Sequence, residues 1–261
     1  MTQLKCCFIQ FIQTVLTTMK IRFSLFALFL IALTACTGDS YTELQLASSR
    51  GQADMVAVML EKGADVNEAN KHGKTPLMLA AGNGRAEATK VLLKNNAIVD
   101  AQDIDGMTAL MMASSDGQTE TVKILVENGS NINTKNNYGA TAITNAAFFN
   151  HAEALKALLA SKTKADIGTS ENALLICAGL GNNEIIKILL EYGVDVNARG
   201  KKGRTPLMAA IEFDHPGTVR LLLENGADPT ARDSEGNTVT ALAEDEGSET
   251  IIDIIKEATT K

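Results

Sequence analysis

A string of about ten residues returns along this chain at an interval of 33 residues. Residues 75–84 read TPLMLAAGNG, and residues 205–210 read TPLMAA. A threonine opens most copies, and successive threonines are 33 residues apart except for one step of 64: Thr42, Thr75, Thr108, Thr141, Thr205 and Thr238. A fixed period of this length is typical of repeat architectures, in which one small unit is stacked on copies of itself.

The long step contains one more copy from which two residues have been lost. NALLICAGLG, at residues 172–181, aligns with TPLMLAAGNG. A second marker, nearly always glycine, closes the string in the same phase: Gly51, Gly84, Gly117, Asn150, Gly181, Asp214 and Gly247. Motif, period and phase therefore agree on seven copies between about residue 40 and residue 261.

The physical chemistry of one copy predicts a pair of helices. Thr75 is a good N-cap, and Pro76 suits the first helical position, where its missing N–H is not needed. Ala80 lets a neighbouring helix approach closely, and Gly84 allows a left-handed backbone at the helix end. A second apolar helix follows, and then DAQDIDG (100–106) predicts an extended finger closed by a turn. One such unit is too small to bury its own apolar face, so stacking must stabilise it.

These strings resemble the ankyrin-repeat family. The resemblance is carried by GKTPLMLAAGNG, KILVENGSNINTKN, KILLEYGVDVNARG and RLLLENGADPTARD. It implies an all-α solenoid of about seven helix-turn-helix pairs with β-hairpin fingers over residues 41–261, closed by polar terminal caps. It also implies a long concave surface that binds a protein partner. The family's histidine after Pro-Leu is Met78, Met111 and Met208 here, so a weaker polar network between repeats is expected.

No pattern of catalytic or metal-binding residues stands out. His72, His151 and His215 fall in different repeats without paired ligand spacing, and Cys177 replaces the small residue that the repeat buries. Acidic residues are numerous but dispersed. We therefore expect no enzyme activity, no cofactor and no metal site.

The first 35 residues differ from the rest of the chain. They contain Lys5, Lys20 and Arg22 but no acidic residue, and they include the apolar run FSLFALFLIAL at residues 23–33. That run has 11 residues, whereas a transmembrane helix needs about 20. A short basic stretch followed by an apolar run and small residues is typical of a secretory signal peptide. Residues 1–35 are predicted to be one, with Met19 as an alternative start.

The run ends in LTAC (33–36), which resembles the lipobox of bacterial lipoproteins. The resemblance implies cleavage before Cys36 and lipid on its thiol, so residues 36–40 become a lipidated end and a short tether. Thr37 rather than Asp after the cysteine implies the outer membrane, with the repeats facing the periplasm. The alternative is that Cys36 is an ordinary residue after a plain signal peptide, which leaves a soluble periplasmic or secreted protein.

The predicted mature chain is strongly acidic. Three of the 24 Lys and Arg residues lie in residues 1–35, leaving 21 against 31 Asp and Glu. This charge repels a phosphate backbone, so nucleic acid is not an expected partner. Cys177 is the one cysteine left besides Cys36, so no disulfide within the mature chain is expected.

The residue before each glycine marker lies on the concave face that the resemblance implies. In order, these residues are Arg50, Asn83, Asp116, Phe149, Leu180, Phe213 and Glu246. Three consecutive large apolar residues thus stand between polar ones, with Phe148 adjacent and Tyr138 on a neighbouring finger. These five residues form the candidate partner-binding site, because exposed apolar patches mark interaction sites. The alternative is that the shortened finger predicted at residues 163–172 folds down and buries the rings.

A second candidate contact is the finger RGKKGR at residues 199–204. Lys201, Lys202 and Arg204 make this finger basic within an acidic protein, so it could meet acidic groups of a partner or lipid headgroups. The alternative is that charged residues on a turn only keep it solvated.

Together, these features predict an envelope-anchored module that binds a periplasmic partner protein through its concave face. Two versions are open: an immunity-type inhibitor of a toxic enzyme that acts on the envelope, and a protector of a periplasmic enzyme. The alternative of another class is a secreted effector that acts on host proteins, which a lipid anchor disfavours.

Overall fold

The computed structural model describes residues 41–161 and 167–260. In that part of the chain there are fourteen α-helices, arranged in seven pairs. The first helices of the pairs are α1 (Glu43–Arg50), α3 (Pro76–Gly82), α5 (Ala109–Ser115), α7 (Ala142–Phe148), α9 (Ile167–Leu180), α11 (Pro206–Glu212) and α13 (Val239–Glu246). The second helices are α2 (Ala53–Glu61), α4 (Ala86–Lys94), α6 (Thr119–Glu127), α8 (Ala152–Leu159), α10 (Asn183–Glu191), α12 (Pro216–Glu224) and α14 (Glu249–Thr259).

The pairs stack in chain order to form a solenoid. Residues 42–261 make one compact unit, in which each first helix packs against the first helix of the next pair, and each second helix does the same. The predicted all-α solenoid of seven helix pairs is confirmed. The signal peptide, Cys36 and the tether at residues 36–40 lie outside the described residues and stay predictions.

Threonine starts the first helices as the sequence predicts. In six pairs its hydroxyl oxygen accepts a hydrogen bond from the backbone N–H three residues later, over 3.0–3.4 Å: Thr42, Thr75, Thr108, Thr141, Thr205 and Thr238. This bond satisfies an N–H that has no partner inside the helix. The marker position that ends the same helices is left-handed in every pair, including Asn150 (φ 60°) and Asp214 (φ 52°).

Small residues at one helical position let the first helices approach each other. Ala80, Ala113, Ala146, Cys177, Ala210 and Ala243 are each 0% exposed. Cys177 thus occupies the place of a buried alanine, as the alignment predicts, and its Sγ lies 3.5 Å from the carbonyl oxygen of Ala147. Met78, Met111 and Met208 are buried as well.

The fingers are tight turns that bond to one another edge to edge. Within a finger, the Asp103 N–H donates to the Met107 carbonyl over 3.0 Å. Between fingers, backbone N–H groups donate to carbonyls of the preceding finger: Ile104 to His72, Asn137 to Asp105, and Ser234 to Lys202. In the described residues one isolated β-bridge occurs, between Arg232 and Thr238.

The fifth pair departs from the sequence-based expectation. The sequence predicts an extended finger over residues 163–172, but α9 begins at Ile167 and is 14 residues long, whereas the other first helices have seven or eight. Asn172 stands where the other copies have a capping threonine, and Ala173 stands where Pro76 and Pro206 start a helix. Without these start signals, the helix extends toward its N-terminus.

Candidate functional site

The fingers and the first helices line one concave face. Between the second and third pairs, a groove of about 340 Å³ is bounded by Lys74, Asp103, Asp105 and Met107 from two fingers. Its other wall comes from α3, α5 and the residues that directly follow these helices, Asn83 and Asp116. These two residues hold the position before the marker, so that position faces the concave side, as the sequence predicts.

The three apolar residues at this position are exposed. Phe149 is 52% exposed, Leu180 43% and Phe213 60%. Burial of the rings, which the sequence left open, is therefore not what the structure shows. The row stands between Asp116 and Glu246, which are exposed polar residues. We call Phe149, Leu180 and Phe213 the apolar row.

The last ring of the apolar row packs against a glycine. The ring of Phe213 lies so close to Gly179 that a Cβ added there would stand 3.2 Å from the ring's Cδ2. The same relation occurs three repeats earlier, where the carboxylate of Asp116 lies over Gly82. A row side chain thus reaches back over the end of the preceding first helix, which brings Phe213 to the helix end that carries Leu180.

Two further aromatic residues predicted for the site differ in their surroundings. Phe148 is half exposed and meets Phe149 edge to face, with ring centroids 5.0 Å apart. Such pairs are a favourable arrangement of aromatic rings. Tyr138 is 80% exposed at its finger tip, and its hydroxyl donates a 3.5 Å hydrogen bond to the Asp105 carboxylate of the preceding finger. Phe148 therefore belongs with the apolar row, and Tyr138 contacts Asp105 at the edge of the groove.

The basic finger is partly neutralised within the chain. The Nζ of Lys202 lies 2.9 Å from the Glu235 carboxylate on the next finger, and this pair raises the pKa of Lys202. A nitrogen of the Arg204 guanidinium lies 2.7 Å from the Glu212 carboxylate. Lys201 is exposed. Two of the three cations thus form ion pairs that tie this finger to Glu235 and Glu212, and their contact with a partner stays a prediction.

Sequence reasoning missed a ladder of side chains that joins the repeats. The residue after the glycine marker donates a hydrogen bond to a carbonyl oxygen near the end of the preceding first helix. The donors and acceptors are Arg85 and Ser49 (3.1 Å), Gln118 and Gly82 (3.3 Å), His151 and Ser115 (2.9 Å), and His215 and Gly179 (3.0 Å). The donors share only reach and an N–H group, so no residue type reveals the ladder.

The described residues contain no group of three His, Cys, Asp or Glu placed to hold a metal ion. No helix in the same part of the chain is long and apolar enough to cross a membrane.

Comparison with known proteins agrees with the repeat geometry. The family model for "Ankyrin repeats (3 copies)" matches residues 24–103, 96–171 and 163–233. The mouse 2-5A-dependent ribonuclease is 56% identical over 36 residues, which are 14% of this chain and 5% of that protein. The chain therefore spans only a small part of that relative.

Two solved structures share the fold. The ankyrin repeat domain of human ASB11 superimposes with a TM-score of 0.71 at 24% identity, covering 84% of this chain and 98% of that one. The ankyrin repeat domain of Bcl-3, a member of the IkappaB family, gives 0.74 at 24% identity, over 84% and 99%. Such domains are typically protein-binding scaffolds without catalytic activity. By its period, its helix pairs and the match over most of its length, this chain belongs to the ankyrin-repeat family.

Proposed function

We propose that this protein is an envelope-anchored module that holds a periplasmic partner protein on its concave face. Ankyrin repeats are protein-protein interaction modules, and the apolar row supports a specific site. Phe149, Leu180 and Phe213 occupy one repeat position, are all exposed, and stand between charged residues. An apolar centre with a polar rim is the usual composition of a binding hot spot.

Polar residues at the same position elsewhere support a binding role for the row. Asn83, Asp116 and Glu246 occupy it in pairs that stack in the same way. The fold therefore does not need an apolar side chain there. Exposed Phe and Leu side chains remain in contact with water until another surface covers them, and covering them is favourable.

The proposed anchor follows from the LTAC string. Lipid on Cys36 would fix the module to the outer membrane on its periplasmic side. Residues 37–40 separate this cysteine from Tyr41, a reach of about 15 Å at most. A tether this short would keep a captured partner beside the membrane. Covering the partner inhibits it where the covered surface holds its active site, and protects it where that surface is labile.

Photo-cross-linking in cells tests the proposed binding face. A photoreactive amino acid is placed at Phe149, at Phe213 and, as a control, at Lys187, an exposed residue of α10. We expect a discrete protein adduct from the two concave positions and none from Lys187. Equal adducts from all three positions would reject the concave face.

Truncation of the row measures its contribution. Phe149→Ala combined with Phe213→Ala should weaken capture of the cross-linked partner by at least about tenfold, since truncation at a hot spot commonly costs about 2 kcal/mol or more. The melting temperature should change little, because the rings are exposed. If the double variant instead unfolds and binding per folded molecule is unchanged, the rings are structural.

Fractionation tests the anchor separately. Wild-type protein should sediment with the outer membrane, and Cys36→Ser should accumulate as the unprocessed precursor. Wild-type protein found entirely in the cytoplasm would refute the anchor and favour the effector alternative.

A further inference from the structure

Asn145 is a polar residue at a position that is otherwise apolar. It lies in α7, where the equivalent residues of the other pairs are Leu46, Leu79, Met112, Ile176, Ala209 and Leu242. Its side chain is 9% exposed, and its Nδ2 has no hydrogen-bond partner. Asparagine is also a poor helix former in the interior of a helix. Neither packing nor helix propensity explains this residue.

The position of Asn145 faces the concave side beneath the apolar row. Leu79 and Met112, its equivalents in the second and third pairs, line the concave groove there. Asn145 also precedes Phe149 by four residues, which places the two side chains on the same side of the helix one turn apart. The amide of Asn145 therefore lies at the base of the site, below the first ring of the row.

An amide in this place suits a peptide group. Buried polar groups are nearly always hydrogen-bonded, so one without a partner calls for an explanation. The side chain of asparagine offers two donors and a carbonyl acceptor, and its last torsion is broad and roughly two-fold, so either end can be presented. A backbone peptide group supplies the complementary carbonyl and N–H at one point.

The distance between successive row residues indicates the backbone conformation that a bound peptide must have. Neighbouring packed helices lie about 8–10 Å apart, so successive row residues are separated by about the same distance. In a β-strand, side chains on one side recur every second residue, at about 7 Å. In a polyproline II helix they recur every third residue, at about 9 Å. The second spacing fits the row.

We propose that α7, α9 and α11 bind an extended polyproline II segment of the partner, with apolar side chains at every third position. Those side chains contact Phe149, Leu180 and Phe213, and one peptide group of the segment bonds to Asn145. A Lys or Arg beyond the apolar residues meets Asp116, which is exposed just after the end of α5, next to the row. The inference rests on the proposed function, because it specifies the part of the partner that the concave face holds.

Peptide binding tests this inference on the purified full chain. The probe is a fluorescent, proline-rich peptide of about twelve residues with leucine at every third position and one terminal lysine. A second peptide has the same composition with its leucines adjacent. Fluorescence anisotropy should show that the spaced peptide binds at least about tenfold more tightly, because it alone reaches all three row residues. Equal binding of the two peptides would overturn the inference.

Asn145→Leu tests the amide, because leucine already occupies this position at Leu79 and Leu242. The variant should bind the spaced peptide about three- to tenfold more weakly, the effect of one lost hydrogen bond, with a melting temperature at least as high as wild type. Leu79→Met, at the same position two pairs away, should change neither property. Unchanged affinity in Asn145→Leu would show that the amide has no role in binding.

The outcomes separate this inference from the proposed function. If the spaced peptide does not bind but cross-links from Phe149 and Phe213 to a partner persist, the proposed function stands and the polyproline II ligand is wrong. If no cross-links form from these positions either, both the proposed function and the polyproline II ligand are wrong. Sedimentation of the wild-type chain checks one other occupant: self-association abolished by Phe213→Asp would assign the row to a second copy and overturn the inference.

Discussion

The Nε2 of His151 lies 2.9 Å from the carbonyl oxygen of Ser115, one repeat earlier in the solenoid. A carbonyl only accepts, so the imidazole must carry its proton on Nε2 and donate it. Ser115 is the last residue of α5, where the final carbonyls have no partner inside the helix. The side chain thus completes the end of one helix from the repeat that follows.

Removing this donor should destabilise the stack. We expect His151→Ala to lower the free energy of unfolding by about 1 kcal/mol, the net contribution of one hydrogen bond, measured by urea denaturation. His151→Gln should recover much of the loss, because Gln118 makes the same bond to Gly82 over 3.3 Å. A glutamine variant as unstable as the alanine variant would show that packing of the ring, rather than the bond, is what matters.

Alanine substitutions at two left-handed glycines can distinguish the cost of backbone strain from the cost of disturbing the ladder. Gly117 has φ 67° and a Cβ there would meet the His151 ring at 2.5 Å, whereas Gly129 has φ 89° and no atom within 4 Å of that point. Alanine at either position costs about 1–2 kcal/mol for the left-handed backbone. We expect Gly117→Ala to lose more than Gly129→Ala in urea denaturation, and the excess to vanish when His151 is also alanine. Equal losses in the two single variants would contradict this.

Burial raises the pKa of the Cys177 thiol from 9.0 to about 12. The folded state disfavours the thiolate, whereas the unfolded chain can ionise this thiol above about pH 9. The stability that comes from keeping the thiol protonated is therefore complete below pH 9 and is lost as the pH rises toward 12. Compared with Cys177→Ala, the wild-type chain should lose unfolding free energy above about pH 9, at up to about 1.4 kcal/mol per pH unit. Parallel stability curves for the two proteins would refute the shift.

The same thiol should resist alkylation. Peptide mapping after iodoacetamide treatment at about pH 8 should find Cys177 unmodified in the native chain and modified in urea, because the thiolate is the reactive form.

Asp233 should make the stability of the finger between α12 and α13 sensitive to acid. Its carboxylate accepts hydrogen bonds of 2.9 Å from the Asn237 side chain and from the backbone N–H groups of Glu235 and Asn237. The bond from the Asn237 side chain does most to lower the pKa of Asp233 below 3.8. A lowered pKa gives stability that is present above the unfolded value and is lost as the pH falls through the folded one.

Asparagine takes the same place in two other fingers, where the Oδ1 of Asn70 and of Asn136 accepts the equivalent backbone bonds. Asp233→Asn should therefore keep the turn and reduce the loss of stability between about pH 5 and about pH 2, measured by urea unfolding. The reverse change, Asn136→Asp, should increase that loss only slightly, because Ala140 stands where Asn237 donates its side-chain bond. Acid sensitivity that follows neither substitution would place its origin in other carboxylates.

Positions that depend on one repeat were predictable from the sequence, and contacts between repeats were not. The threonine caps and the left-handed residues at Gly84 and Gly117 follow from local backbone requirements, and the equivalent position of the apolar row follows from the period. The ion pair of Lys202 with Glu235 joins residues 33 apart, and its geometry exists only after stacking. The same holds for the bond of His151. The early start of α9 does not follow from the sequence pattern, because the alignment of the repeats places the two-residue deletion in a finger.

The ladder donors have a consequence for the surface of the solenoid. Arg85, Gln118 and His151 make equivalent bonds with a permanently charged, a neutral and a titratable side chain. The bond requires only a side chain that is long enough and carries an N–H group. The charge at this position can therefore vary without loss of the hydrogen bond between repeats. The charge of the ladder side chains can therefore change in evolution while the hydrogen bonds that join the repeats are kept.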